Sequence, residues 1–162
     1  MTMILLVVSS LTSCTVPSDG HTGITVDAEG DPVAVLQTCK HAVDGATLYV
    51  SSKSGTGSQS LGDWDFDVTT VGTALRWPLM ASEAPGVRAT RTVAQLEPGV
   101  EYHLYGWTYD NDWSTGHVTF TMEDLERLQQ GRILVYGGND KDPRGNDEVS
   151  VADFQASVCG ED

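Results

Sequence analysis

Apolar residues in this chain come in short runs with period-two alternation, separated by clusters of Gly, Pro, Asp, Asn and Ser. Gly23-Ile24-Thr25-Val26 and Pro32-Val33-Ala34-Val35-Leu36 flank the turn-forming Asp27-Ala28-Glu29-Gly30-Asp31, which predicts a hairpin. Ala46-Thr47-Leu48-Tyr49-Val50 has strand propensity, whereas the Ser/Gly-rich segment 51–62 has almost nothing to bury and is expected to be a loop. Further strands are expected over 63–69, 73–77 and 87–96, set apart by Gly72, Pro78 and Pro85-Gly86. The strongest strand pair covers 101–109 and 117–121, joined by the dense turn chemistry of Asp110-Asn111-Asp112-Trp113-Ser114-Thr115-Gly116.

Helical periodicity is confined to two places. Thr121-Met122-Glu123-Asp124 has the form of a capping box with Asp in the fourth position, Leu125 and Leu128 supply one apolar face, and Gly131 supplies a stop. Arg132-Ile133-Leu134-Val135-Tyr136 is a last strand, and 137–148 is polar and expected to be a loop. Ser150-Val151-Ala152-Asp153 then caps a terminal helix that turns Phe154 and Val158 inward. Many short strands with one or two short helices near the C-terminus predict an all-β, antiparallel sandwich formed by a single domain over 23–162.

Composition changes this picture mainly by exclusion. The 162 residues carry 23 acidic and 9 basic side chains, a formal charge of −14 that repels nucleic-acid phosphates and anionic lipid headgroups. Nucleic acid is therefore not an expected partner. With 40% hydrophobic residues, the chain is apolar enough to build a core.

The segment from Met3 to Leu11 is apolar but far shorter than the roughly 20 residues of a spanning helix. Its length suits the hydrophobic region of a secretory signal, and Leu11-Thr12-Ser13-Cys14 resembles the lipobox of bacterial lipoproteins. The resemblance implies a signal peptide over 1–13, cleavage before Cys14, diacylglycerol on the Cys14 thiol and a polar tether over 14–22. Two or three acyl chains hold a protein firmly where one binds only marginally, so the expected partner is a membrane and the expected location is the cell envelope, outside the cytoplasm. The alternative is that residues 4–8 form a buried strand and Cys14 is an ordinary thiol. Lipidation of Cys14 leaves Cys39 and Cys159 to form a disulfide, or else to remain as two buried thiols.

Two further resemblances bear on the folded part. Leu96-Glu97-Pro98-Gly99-Val100-Glu101-Tyr102 resembles the corner of fibronectin type III domains, which implies an immunoglobulin-like sandwich in which the Tyr102 hydroxyl bonds back across the corner. Leu104-Tyr105-Gly106-Trp107-Thr108 and His117-Val118-Thr119-Phe120-Thr121 resemble segments of actinobacterial lipoproteins of unknown function. That resemblance carries an address and no activity.

If Tyr102 faces inward, alternation sends Leu104 and Gly106 inward with it and places His103, Tyr105, Trp107 and Tyr109 on the opposite face, with Trp113 at the hairpin tip. Tyr105, Trp107, Tyr109 and Trp113 are the candidate ligand-binding residues, because aromatic rings with polar handles dominate binding hot spots and stack on sugars. A protein or a glycan is the expected ligand class. The competing expectation is that C-terminal elements cover this face and make it a second core.

Asp63, Asp65 and Asp67 share one strand face and are expected to be a solvated edge rather than a calcium site. The acidic loop 140–148 has Arg144 where an EF-hand loop needs a ligand, so no metal and no cofactor is expected. His103 and His117 could meet across their hairpin near Asp110 or Asp112, which keeps an envelope hydrolase as the rival function. The chain contains no GxSxG or HExxH motif, and no enzymatic activity is expected. A third possibility is a structural envelope or phage-encoded lipoprotein without a ligand.

Overall fold

Strands that bury one face alternate in sequence, and the computed structural model, which describes residues 15–52 and 57–159, shows this along Tyr102–Trp107, whereas Pro32–Gln37 is buried at every position. In chain order these form β1 (Ser18–Val26), β2 (Pro32–Gln37), β3 (Gly45–Ser51), β4 (Ser58–Phe66), β5 (Leu75–Pro78), β6 (Glu83–Ala84) and β7 (Val87–Arg91). There follow β8 (Tyr102–Trp107), β9 (Ser114–Gly116), β10 (Val118–Phe120), α1 (Met122–Arg127), β11 (Arg132–Tyr136), β12 (Asn146–Ser150) and α2 (Val151–Ser157). The strands join in the order β12-β11-β1-β9-β8-β3-β4-β7-β6, with β2 on the other flank of β1, β5 outside β2, and β10 beside β8. The protein is all-β, and this continuous sheet wraps around its core in a sandwich-like, nearly barrel-like way.

Two cores result. The larger holds Ile24, Leu36, Leu48, Trp64, Trp77, Tyr102, Leu104 and Phe120, drawn from both halves of the sheet. Because β2 is buried on both faces, Ala34 and Leu36 join that core while Val35 points the other way. There Val35 meets Ile133, Val135, Phe154 and Val158, so α2 covers the back of β2 and β11. The helix is capped by Ser150, whose hydroxyl accepts from the Asp153 amide at 3.0 Å. Gly23 permits this approach, since a Cβ there would stand 2.5 Å from Ile133 Cγ2.

Local signals form as their chemistry requires. Thr121 and Asp124 make a reciprocal capping box on α1, with the Thr121 amide donating to Asp124 Oδ2 at 2.8 Å. At the Leu96-to-Tyr102 corner the Tyr102 hydroxyl accepts from the Glu97 amide at 2.6 Å. Cys39 and Cys159 form a disulfide with a Cα–Cα distance of 5.3 Å, closing a sequence separation of 120 residues.

Other expectations need correction. The sheet is not antiparallel throughout: β1 pairs with β9 in parallel, and Thr38 and Val71 form a parallel bridge. Backbone pairing of Ser18 and His21 with the far hairpin needs no apolar side chains, so hydropathy did not reveal it. For the same reason the strand starts at Ser18, inside the expected tether. Strand β4 begins at Ser58 within the expected loop, held by pairing of Ser58, Gln59 and Ser60 to β3. Likewise β12 starts at Asn146, where register with Tyr136 extends the sheet into a polar segment. The expected strand over 87–96 ends at Arg91. Residues 1–13 and Cys14 lie outside the described residues, as do 53–56.

Candidate functional site

The site is built on the outer face of β3 and β8. Along β8, Tyr102, Leu104 and Gly106 are buried while His103, Tyr105 and Trp107 are only half-buried. On β3, Ala46 and Leu48 point into the core, which leaves Thr47 and Tyr49 on the face shared with Tyr105 and Trp107. Register sets Thr47 opposite Tyr105, Tyr49 opposite His103, and Gly45 opposite Trp107.

Gly45 explains the pose of the indole. A Cβ there would stand 2.6 Å from Trp107 Cζ2 and 2.8 Å from Cη2, so only glycine lets the ring lie across β3. The indole is pinned by a hydrogen-bond relay. Trp107 Nε1 donates to Thr47 Oγ1 at 2.9 Å, and Thr47 Oγ1 donates to Asp63 Oδ1 at 2.8 Å. Asp63 Oδ2 accepts from Ser60 Oγ at 2.6 Å and from Arg91 Nε at 3.1 Å. The carboxylate is thus paired with Arg91 and accepts hydrogen bonds on both oxygens.

Tyr49 stands edge-on to Tyr105, with ring centroids 5.8 Å apart, and its other side stacks on His103 at 4.9 Å. Burial raises the Tyr105 phenol above its ordinary value, and the Asp63 carboxylate adds to that shift. Burial likewise raises Tyr49, with Tyr105 contributing. These rings line an open groove of about 500 Å³ together with Thr47, Ser60, Asn111 and His117. The helix α2 packs on the opposite layer, against β11 and β12, and so does not cover this face.

The four candidate aromatics divide. Tyr105 and Trp107 share the groove. Tyr109 is exposed and meets the Trp107 ring edge-on at 5.2 Å, beside Asp65 and Arg88. Trp113 lies apart, stacked on His41 with centroids 3.6 Å apart. His41 is held in turn by Asp19, whose carboxylate accepts from the Lys40 and His41 amides and from His41 Nδ1. Sequence reasoning missed Thr47, Tyr49, Ser60 and His41. Alternation on the strand starting at Ala46 already paired Thr47 with Tyr49 on one face, but only the β3–β8 register shows which face that is.

His103 and His117 approach to a centroid distance of 6.5 Å, without Asp110 or Asp112 between them. Instead His103 Nδ1 bonds Thr119 Oγ1 at 2.9 Å, and Nε2 lies 3.4 Å from Ser51 Oγ and 3.8 Å from Glu101 Oε1. Burial lowers the His103 pKa, opposed by Glu101 and aided by His117. Asp65 pairs with Arg88 at 3.2 Å, so two of the three aligned carboxylates find arginines. Among the described residues no group of His, Cys, Asp and Glu is arranged to hold a metal, and no helix is long and apolar enough to cross a membrane.

No family model matches the chain, and no curated protein or solved structure is significantly similar to it.

Proposed function

We propose that the protein is a lipid-anchored component of the bacterial cell envelope whose sheet presents a recognition face to a protein or glycan. The observation that carries the binding part is the half-buried aromatic row of β3 and β8, open along a groove while α2 packs on the other layer. Aromatic rings held by hydrogen bonds offer contact area at little entropic cost, as recognition surfaces require. The anchoring part is supported by the lipobox resemblance at Leu11 to Cys14. Because β1 begins at Ser18, an acylated Cys14 would hold the domain within roughly 14 Å of the bilayer, at about 3.5 Å per residue.

The Tyr102 corner supports a fibronectin type III or immunoglobulin-like origin for the sandwich, and an actinobacterial lipoprotein ancestry belongs to the same reading. The rival hydrolase draws less support, since both His103 ring nitrogens face neutral hydroxyls and the nearest carboxylate oxygen is 3.8 Å away.

Intact mass and detergent partitioning of the chain from a host that processes lipoproteins test the anchor. Diacylglycerol on a chain starting at Cys14, lost in Cys14→Ala, is the expected result. A soluble chain that retains residues 1–13 would overturn it. For the face, Tyr105→Ala combined with Trp107→Ala in the unacylated Cys14→Ala chain is expected to abolish binding to isolated envelope, while unchanged binding would remove the groove from the function.

A further inference from the structure

We infer that the groove on β3 and β8 takes an uncharged saccharide chain, with Trp107 as its stacking floor and Asp63 as a positioning residue acting through Thr47. This rests on the reading of that face as a recognition surface, and it specifies the ligand.

Charge is the first argument. Among the described residues, no Lys, Arg, Asp or Glu lines the groove. The Asp63 carboxylate behind Thr47 has one oxygen engaged by Thr47 and the other by Ser60 and Arg91, so its charge is already paired and draws a cationic ligand weakly. An anionic ligand would meet a protein of net charge −14 with no Lys or Arg among the described lining residues to receive it. An uncharged ligand incurs neither cost.

Backbone geometry supplies the second argument. Strand β3 is paired on one side with β4 and on the other with β8, and β8 is paired with β3 and with β9 and β10. Neither floor strand offers a free edge, so an extended peptide cannot add to the sheet here by main-chain hydrogen bonds.

Hydrogen-bond direction supplies the third. Ser60 Oγ gives its proton to Asp63, so toward the groove it acts as an acceptor, as a ligand rich in hydroxyl donors requires. Thr47 Oγ1 is committed to Asp63 as donor and to Trp107 as acceptor, and its role is to fix the indole plane. Tyr105 and Trp107 are two residues apart on one strand, so the two side chains leave the backbone about 7 Å apart on the groove floor. A row of aromatic rings beside oriented hydroxyls matches the alternating apolar faces and hydroxyl edges of sugar rings.

The test measures binding of the full-length Cys14→Ala chain, which lacks the acyl anchor, to envelope isolated from its producing cells, untreated, oxidised with periodate to cleave vicinal diols, or digested with protease. The expected result is at least a tenfold loss after periodate and less than twofold after protease. Trp107→Ala is expected to weaken binding at least tenfold, and Thr47→Val and Asp63→Asn several-fold with altered indole N–H and fluorescence signals. Trp113→Ala, outside the groove, should stay within twofold. Tyr105→Ala with an unchanged unfolding midpoint guards against misfolding of the Trp107 variant. Binding that survives periodate but is lost after protease, and still needs Trp107, overturns the saccharide while recognition stands. Binding indifferent to Trp107 and Tyr105, or no binding to untreated envelope, overturns both.

Discussion

Trp107 shows how much a single position depends on its neighbours. Its side of β8 follows from period-two alternation, since Tyr102, Leu104 and Gly106 alternate with it into the core. Its flat pose depends on the absence of a Cβ at Gly45 and on the hydroxyl of Thr47, both on another strand. Gly45→Ala places a methyl 2.6 Å from the ring and against the Trp64 carbonyl, so the indole must lift. We expect a loss of about 1–3 kcal/mol of stability, the usual cost of overpacking, read as a lower denaturant midpoint together with changed tryptophan emission. An unaltered midpoint and emission would show that the ring does not rest on Gly45.

At the scale of elements, local chemistry was the more legible part. The capping box of α1, the Ser150 cap of α2 and the Tyr102 corner each form from residues within a few positions of one another. The beginnings of β1, β4 and β12 were not legible, because Ser18, Ser58 and Asn146 lie in polar segments and pair through backbone alone.

The start of β1 is also locked by Asp19. Burial pushes its carboxyl up, but amide donation from Lys40, His41 and Cys39 and the His41 side chain outweigh this and hold it below the usual carboxylate value of 3.8. A depressed folded value means that the stabilisation is fully present above about pH 4 and is lost as pH falls through the folded value. Acid unfolding of Asp19→Asn is therefore expected to show a shallower decline below about pH 4 than the parent chain. Parallel acid limbs for the two proteins would assign the lock elsewhere.

For the whole molecule, the disulfide between Cys39 and Cys159 joins the bend after β2 to the second residue beyond α2. Closing a separation of 120 residues restrains the unfolded chain by about 5 kcal/mol in the loop-entropy account. Cys39→Ser with Cys159→Ser is expected to lower unfolding free energy by up to that amount, with α2 fraying first because Phe154 and Val158 anchor only the smaller core. Hydrogen exchange at α2 amides checks the order, and uniform loss of protection across β3 and β8 would contradict it. The aromatic face should survive this change, as it belongs to the other layer.

What the sequence by itself determined follows from local rules: the β class, the caps, the corner, and the inward and outward sides of β8. These depend on alternation and on bonds spanning a few residues, which any one segment displays. Tertiary structure alone decided which face α2 covers, that β1 runs parallel to β9, and that Tyr49 and Thr47 join Tyr105 and Trp107 while Trp113 leaves to stack on His41. The physical reason is that strand order and register depend on which segments distant in sequence bury their apolar faces together, while the backbone hydrogen bonds that join them are alike for any partner and leave no mark on the composition of either.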